Sequence, residues 1–359
     1  MVVLPNRPSS FLARLDKYLL LVTALLLLFG VLVVWSTDHA LAQKQTQFAV
    51  VGVVLLILVA MVDHKYLQLL SPVIFVLSFA LLVGVGLFGS SVRGSNRWLS
   101  LGPLLFQPSE FAKLGLIVGL SWFFCKTTLI PLASFLGSLL ALGTFCVLVF
   151  FQPDLGTGLI FVVLWAGVAF MAEVPLAHLL GLAFCGISAL PFVWGFLKDY
   201  QRQRIYSFLN PRSDPLGSGY NVLQAIIAVG SGQIFGRGFG RGPQSQLRFL
   251  PERSTDFIFA SLGEEWGLLG VTILLVLYFV LLWRILVVAR RSPDRFGMLV
   301  CVGVFCMLLA QIFINIGMNL GIMPITGLPL PLVSAGGSSL IVTLISLGVV
   351  ESVAAHQEM

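Results

Sequence analysis

The sequence predicts an all-α polytopic integral membrane protein of about ten transmembrane helices, with a large extracytoplasmic loop between the seventh and the eighth. Three observations predict it. Hydrophobic residues fill 58% of the 359 positions, and the mean hydropathy is +1.01. Only 36 residues are charged, 21 basic and 15 acidic, where a soluble domain carries roughly a quarter. The charges also fall between uncharged runs, each long enough at about 1.5 Å per residue to cross a hydrocarbon core of about 30 Å. The same composition excludes a disordered chain, a collagen-like repeat and a disulfide-stapled secreted scaffold.

Tyr18–Thr37, Gln45–Val62 and Tyr66–Val92 form the first three spans. Ala40-Leu41-Ala42 resembles a signal-peptidase site, but the apolar run before it exceeds the usual signal length, so this helix is expected to stay. The fourth span, about Pro108–Cys125, is apolar except for Glu110 and Lys113, which stand at i, i+3 and can meet on one face. A charge at the bilayer centre costs roughly 2.5–3.5 kcal/mol and marks function by default. In the first turns after Pro108 this pair is expected near the interface, either orienting the helix or serving substrate binding or gating. Thr127–Pro153, Leu155–Ala172 and Val174–Leu197 come next. Trp266–Trp283, starting near Leu262, is the eighth span, and the uncharged stretch Phe296–Val350 makes two more around a Pro/Gly-broken middle.

Basic residues set the orientation. With the N-terminus inside, short cytoplasmic segments hold Arg7, Arg14, Lys17, Lys65, Lys126, Arg284, Arg290, Arg291 and Arg295, and short outer loops hold only Lys44, Arg93 and Arg97. Nine against three follows the positive-inside rule and puts both termini in the cytoplasm. A net charge of +6 is then the ordinary rim of a membrane protein and no argument for nucleic acid.

The long segment 198–256 falls outside and carries eight positive and four negative charges. A cationic, glycine-rich lobe suits either an anionic ligand at the membrane surface or contact with anionic headgroups. Its run Gly236-Arg237-Gly238-Phe239-Gly240-Arg241-Gly242 lacks the G-K-[ST] of a P-loop and any βαβ setting, so a nucleotide is not expected. The run reads as a phosphate-facing turn or as a turn packed on the bilayer. Asp256, Glu264 and Glu265 open the next helix, where an acid is favoured by capping and the dipole. Asp256 is alternatively a carboxylate held between the cationic lobe and the membrane. From Asn315 to Leu340, prolines and glycines interrupt an uncharged stretch, so irregular backbone there must be buried in protein or line a wet cavity. Cys125, Cys146, Cys185, Cys301 and Cys306 have no C-x-x-C spacing and the four histidines no ligand-pair spacing, so no metal site is predicted.

These stretches carry long motifs: RWLSLGPLLFQPSEFAKL from Arg97, FQPDLGTGL from Phe151, DYQRQRIYSFLNPRSDPLGSGYN from Asp199, GPQSQLRFLPERSTDFIFASLGEEWG from Gly242 and NLGIMPITGLPLPLVSAGGSSLI from Asn319. Through them nearly the whole chain resembles the SEDS family (shape, elongation, division and sporulation), with GPQSQL and TGLPLP similar to its elongation branch. The resemblance implies a single ten-helix membrane domain that polymerises lipid II into β-1,4-linked glycan strands on the outer face of the cytoplasmic membrane. It further implies a class B penicillin-binding protein as transpeptidase partner, among membrane lipids and other cell-elongation machinery. No cofactor is certain, and a divalent cation is left open.

Asp256 falls on the family's catalytic aspartate and is expected to act as general base of an inverting transfer. Arg202, Arg204 and Arg241 are expected to stabilise the leaving diphosphate. Arg97, Trp98, Glu110, Lys113, Gln244, Gln246 and Glu252 are assigned to substrate binding. The chain departs from its relatives at Ser254, usually His, Pro243, often Thr, and Ala335, commonly Tyr; none removes the carboxylate, and with Ser254 beside it the resemblance implies no role for a neighbouring imidazole. A lipid II flippase and a non-catalytic scaffold remain the other classes.

Overall fold

The computed structural model describes residues 14–92, 95–101, 104–127, 131–197, 199–210 and 217–356. Arg7, Arg93, Lys198, Arg212 and Asp214, used in the charge reading, lie outside the described residues. In chain order the helices are α1 (Lys17–Thr37), α2 (His39–Met61), α3 (His64–Phe88), α4 (Pro108–Lys126), α5 (Pro131–Phe151), α6 (Leu155–Met171), α7 (Leu176–Trp194), α8 (Asp199–Leu209), α9 (Ser218–Ser231), α10 (Pro243–Gln246), α11 (Ile258–Arg291), α12 (Arg295–Asn319) and α13 (Gly337–Ala355). Seven of them, α1, α2, α3, α5, α11, α12 and α13, are long and apolar enough to cross a membrane. The shorter apolar α6 and α7, and α4 with its buried Glu110 and Lys113, complete the ten expected positions.

Five aspartates account for much of the sparse acidic complement. Asp16, Asp38, Asp63, Asp154 and Asp294 each N-cap a helix (α1, α2, α3, α6 and α12), their carboxylates accepting first-turn N–H groups that would otherwise go unpaired.

The spans alternate between two ends. At the end reached by both ends of the described chain, Arg284 forks onto the Asp16 carboxylate, while the Asp16 N–H donates to Glu351 Oε2 at 2.9 Å. His64 meets Asp294 there, and Arg295 donates to the Ala172 carbonyl at 2.8 Å. The centre of the bundle is α12 and α13, whose apolar windows are 72% and 78% buried within the protein, against 22% for α3. The first two are therefore packed by neighbours, α12 against α11 and α6, α13 along α2, while α3 turns most of its surface outward.

Three parts differ from expectation. The chain between α3 and α4, expected as a plain loop, forms a small antiparallel sheet of β1 (Ser90–Val92), β2 (Ser95–Leu101) and β3 (Leu104–Phe106) in the order β1-β2-β3. The large loop is itself built of helices α8, α9 and α10. Finally α11 begins at Ile258, before the expected Leu262, and is broken at Gly267 (φ 64, ψ −160), a conformation open in practice only to glycine.

That break explains the glycine-rich run. Leu268 and Leu269 donate their N–H groups to the Gln233 and Ile234 carbonyls at 2.8 and 3.1 Å, while the Glu264 and Glu265 carbonyls accept from Arg237 and Gly238 at 2.9 and 3.0 Å. The 232–240 segment is thus stitched into the gap in α11. The N–H groups of Arg237 and Gly238 are spent on protein carbonyls and do not form a phosphate nest.

Candidate active site

At the opposite end of the bundle, the turn 250–257 delivers Asp256 to the start of α11. Its main chain is held from two sides. On α12, Asn315 and Asn319 stand at i, i+4 and both donate Nδ2–H to the Asp256 carbonyl, at 3.1 and 3.0 Å. Asn319 Oδ1 accepts the Ala260 N–H at 3.1 Å, and Asn315 Nδ2 also donates to the Leu328 carbonyl at 2.7 Å. From the irregular stretch, Ser334 Oγ donates to the Thr255 carbonyl at 2.6 Å and the Ala335 N–H to the Ser254 carbonyl at 2.9 Å. Both asparagines are fully buried, so these are the bonds that make polar side chains tolerable at such a depth.

The Asp256 side chain is half-buried beside the 327 turn: a Cβ placed on Gly327 would lie 3.6 Å from its Oδ2. Capping does not account for it. Phe257, not Asp256, is the N-cap of α11, with no side-chain capping bond. Ser254 bonds Thr37 Oγ1 at 2.8 Å through its hydroxyl, and Arg253 donates to the Thr37 carbonyl at 2.9 Å, fastening the turn to the end of α1.

One hollow borders this turn and another borders the 324–327 loop. One, of about 230 Å³, is lined by Asp38, Arg248, Glu252, Arg253 and Thr255 among others. Burial first, and the neighbouring Arg248 second, lower Arg253 from its ordinary guanidinium value, with Asp38 opposing. The second, of about 70 Å³, lies between Gln201 and Arg204 of α8, Pro153 and Gly156 at the start of α6, and Pro324, Ile325 and Thr326. Since Thr326 adjoins Gly327, the Arg204 hollow and the Asp256 carboxylate share the 324–327 loop.

Arg97 of β2 donates to the Gln152 carbonyl at 3.1 Å and to the Pro153 carbonyl, and pairs with Asp154 at 3.5 Å. It thereby anchors the sheet to the start of α6. On α4, Glu110 and Lys113 form an ion pair at 2.7 Å, 2% and 1% exposed. The N–H of Gln107, one residue ahead of α4, reaches Ser338 Oγ on α13 at 3.3 Å, joining this helix to the same end of the bundle.

Residues 16–359 match the FtsW/RodA/SpoVE family, described as cell cycle proteins. The chain belongs to the FtsW/RodA/SpoVE family. Within it, the chain is 40% identical to the peptidoglycan glycosyltransferase MrdB of Escherichia coli strain K12 over 99% of this chain and 98% of that one. A chain of a solved peptidoglycan synthase complex, described as coordinating polymerization and crosslinking, superposes with a TM-score of 0.84 at 35% identity, covering 96% of this chain and 99% of that one. The rod shape determining protein RodA of Thermus thermophilus gives a TM-score of 0.75 at 30% identity, covering 96% and 98%.

For this FtsW/RodA/SpoVE protein, the expected site residues separate into groups. Asp256, Glu252 and the Arg204 hollow cluster around the 324–327 loop and the turn before α11. Arg202 instead donates to the Trp194 and Gly195 carbonyls at 3.2 and 3.0 Å, closing the end of α7, and Arg241 is exposed near the end of the glycine-rich run. Gln244 and Gln246 lie in α10, where the Gln244 and Ser245 N–H groups cap onto Glu264 at 2.8 and 3.0 Å and Gln246 Nε2 reaches the Ser36 carbonyl at 2.8 Å. Glu264 is therefore a buried anchor for α10 and does not act as a helix-start acid.

Trp98 sits half-buried on β2, paired with Ser90. Glu110 and Lys113, expected near the interface, are enclosed by protein because α3, α6 and α12 all pack on α4. Asn315, Asn319, Ser334 and Arg253 were not among the expected site residues. Two carboxamides one turn apart in an uncharged span were the available signal, since such groups are costly in a membrane unless paired.

Proposed function

We propose that this chain polymerises lipid II into β-1,4-linked glycan strands as a peptidoglycan glycosyltransferase, with Asp256 as general base. One observation carries the reading: the doubly anchored carbonyl of Asp256 fixes a half-buried acid next to Thr255, which lines a hollow with Arg248 and Arg253, and beside the loop that lines the Arg204 hollow, in a chain 40% identical to a named peptidoglycan glycosyltransferase. An α-linked diphosphate donor giving a β-linked product requires one in-line displacement at the anomeric carbon. That displacement needs one base and a stabilised leaving group, and no second, nucleophilic carboxylate. The attacking 4-hydroxyl is a poor nucleophile, and a positioned carboxylate that takes its proton contributes about 10²–10⁴-fold in rate. The asparagine bonds fall on the main-chain carbonyl, so they position the residue without neutralising its charge.

Arginine suits the leaving diphosphate because its fork offers paired donors to phosphate oxygens. Arg204 is the foremost candidate, since it lines the hollow that shares a loop with Asp256. The catalytic end faces outward across the cytoplasmic membrane and both termini face the cytoplasm, a reading supported by the nine-to-three basic bias of the short segments. The similarity to a chain of a peptidoglycan synthase complex supports a class B penicillin-binding protein as crosslinking partner.

Purified full-length protein given lipid II, with and without such a partner, should yield glycan strands. Asp256→Asn keeps the shape and removes the base, so it should fold, bind lipid II and yield almost none. Near-normal polymerisation by well-folded Asp256→Asn protein would return the residue to a purely local role at the start of α11.

A further inference from the structure

The end of the bundle opposite Asp256 gathers two imidazoles from remote parts of the chain. His64 opens α3 and is 1% exposed, and His356 follows α13, with the two ring centroids 6.4 Å apart. Their hydrogen bonds decide which nitrogens carry protons. His64 Nε2 lies 2.6 Å from Asp294 Oδ1, and a carboxylate can only accept, so the proton of a neutral ring sits on Nε2. His64 Nδ1 is then a lone pair, and it is buried without a hydrogen-bond partner among the described residues. His356 Nδ1 lies 2.8 Å from the Ser352 carbonyl, also acceptor-only, which leaves the His356 Nε2 lone pair open.

We propose that Asp63, His64 and His356 bind a divalent transition metal of the zinc class. One ligand atom from each of the three residues lies within 4.8 Å of the other two. Tetrahedral zinc with bonds of about 2.0–2.1 Å sets donors roughly 3.3 Å apart, so closure requires movements of an ångström or so, chiefly of half-buried His356 at the chain's edge. Two imidazoles and a carboxylate select zinc-like ions over magnesium or calcium, which take oxygen donors. Three protein ligands leave a fourth position for water.

The surroundings match what metal-bound histidines require. A ligating imidazole ordinarily donates its other N–H to a carboxylate or carbonyl, which fixes the tautomer and raises the donor strength. Asp294 does this for His64 and the Ser352 carbonyl for His356. Asp294 is itself held by the Gly297 N–H at 2.9 Å. The competing arrangement is a doubly protonated His64 bridging Asp63 and Asp294. Its second contact, Nδ1 to Asp63 Oδ1 at 3.3 Å, lacks the alignment of a hydrogen bond. The Ser352 hydroxyl already bonds the Val62 carbonyl, so the metal would staple the α2–α3 turn to the end of α13 where they touch.

The test uses full-length protein purified in detergent through an affinity tag without histidine and stripped by a chelator. Zn²⁺ is titrated against a chromophoric chelator, metal per chain is counted by mass spectrometry, and thermal unfolding is followed with and without the ion. Wild type should bind one ion and unfold at higher temperature with it, and Co²⁺ should give the visible bands of a tetrahedral site. His356→Ala and Asp63→Asn, the latter able to keep the helix cap, should abolish the bands and the zinc-dependent shift. Asp294→Asn should weaken binding about 10–100-fold. Absence of stoichiometric binding by wild type, or equal binding by wild type and both ligand variants, overturns the site and leaves His64 as an ion-paired core residue.

Discussion

Asn319→Ala isolates what holds the proposed base in place. The carboxamide makes three contacts that matter: to the Asp256 carbonyl at 3.0 Å, to the Asn315 carbonyl at 2.8 Å and from the Ala260 N–H at 3.1 Å. After truncation the Asp256 carbonyl keeps Asn315, but the Ala260 N–H, on a fully buried residue, has nothing in its place. One orphaned buried donor costs about 1–3 kcal/mol, and the lost bond to Asp256 about 0.5–1.5 more. The expected destabilisation is therefore about 2–4 kcal/mol, read as a lower unfolding temperature in detergent. Function should suffer further, because a shift of about 1 Å at a reacting group can cost about 10²-fold. In a lipid II polymerisation assay kcat should fall about 10–100-fold on that basis, with KM little changed, since Asn319 is buried beneath the turn and meets no ligand. Asn319→Asp keeps the acceptor for Ala260 but sets a buried carboxylate against the Asp256 and Asn315 carbonyls, so it should restore neither stability nor rate. An Asn319→Ala protein with wild-type kcat and unfolding temperature would refute the claim that these bonds position Asp256.

Lys113→Met leaves Glu110 as an unpaired buried carboxylate and should cost about 3–5 kcal/mol, whereas adding Glu110→Gln should recover much of it; thermal unfolding of the single and double variants checks this. Gly267→Ala forces a side chain into φ 64 and sets its Cβ 2.3 Å from the Gly236 nitrogen, so little folded protein should survive extraction, and normal yield would contradict the stitched break. Arg204→Lys should lower the polymerisation rate more than Arg202→Lys, since a single ammonium replaces a fork at the hollow next to the 327 turn; equal rates would remove Arg204 from the leaving-group role. For orientation, Leu247→Cys, at an exposed position near α10, should react with an impermeant thiol reagent in intact spheroplasts, and reaction only after lysis would reverse the topology.

How much of this was legible in the sequence depends on the range of the interaction. Span positions depend on local apolar content, because every backbone polar group in a bilayer must be satisfied within its own helix. The spans therefore fall where the uncharged runs lie, α4 with its buried ion pair excepted, and Asp16, Asp38, Asp63, Asp154 and Asp294 cap helices where charge meets apolar run. The motif around Asp256 named the family for the same reason: it is a contiguous string. The glycine-rich run was not legible, because its partners are carbonyls of α11 about thirty positions away, freed by a break at one glycine. Arg202 read as a site charge and Glu264 as a helix-start acid, and both became anchors, for α7 and α10, once the chain had folded back on them. Only tertiary structure places Asn315 and Asn319 under the Asp256 carbonyl, and Asp63 and His64 beside His356. Composition and period fix how each helix meets the membrane. Which side chains of different helices meet each other follows from packing, a property that no stretch of the chain carries alone.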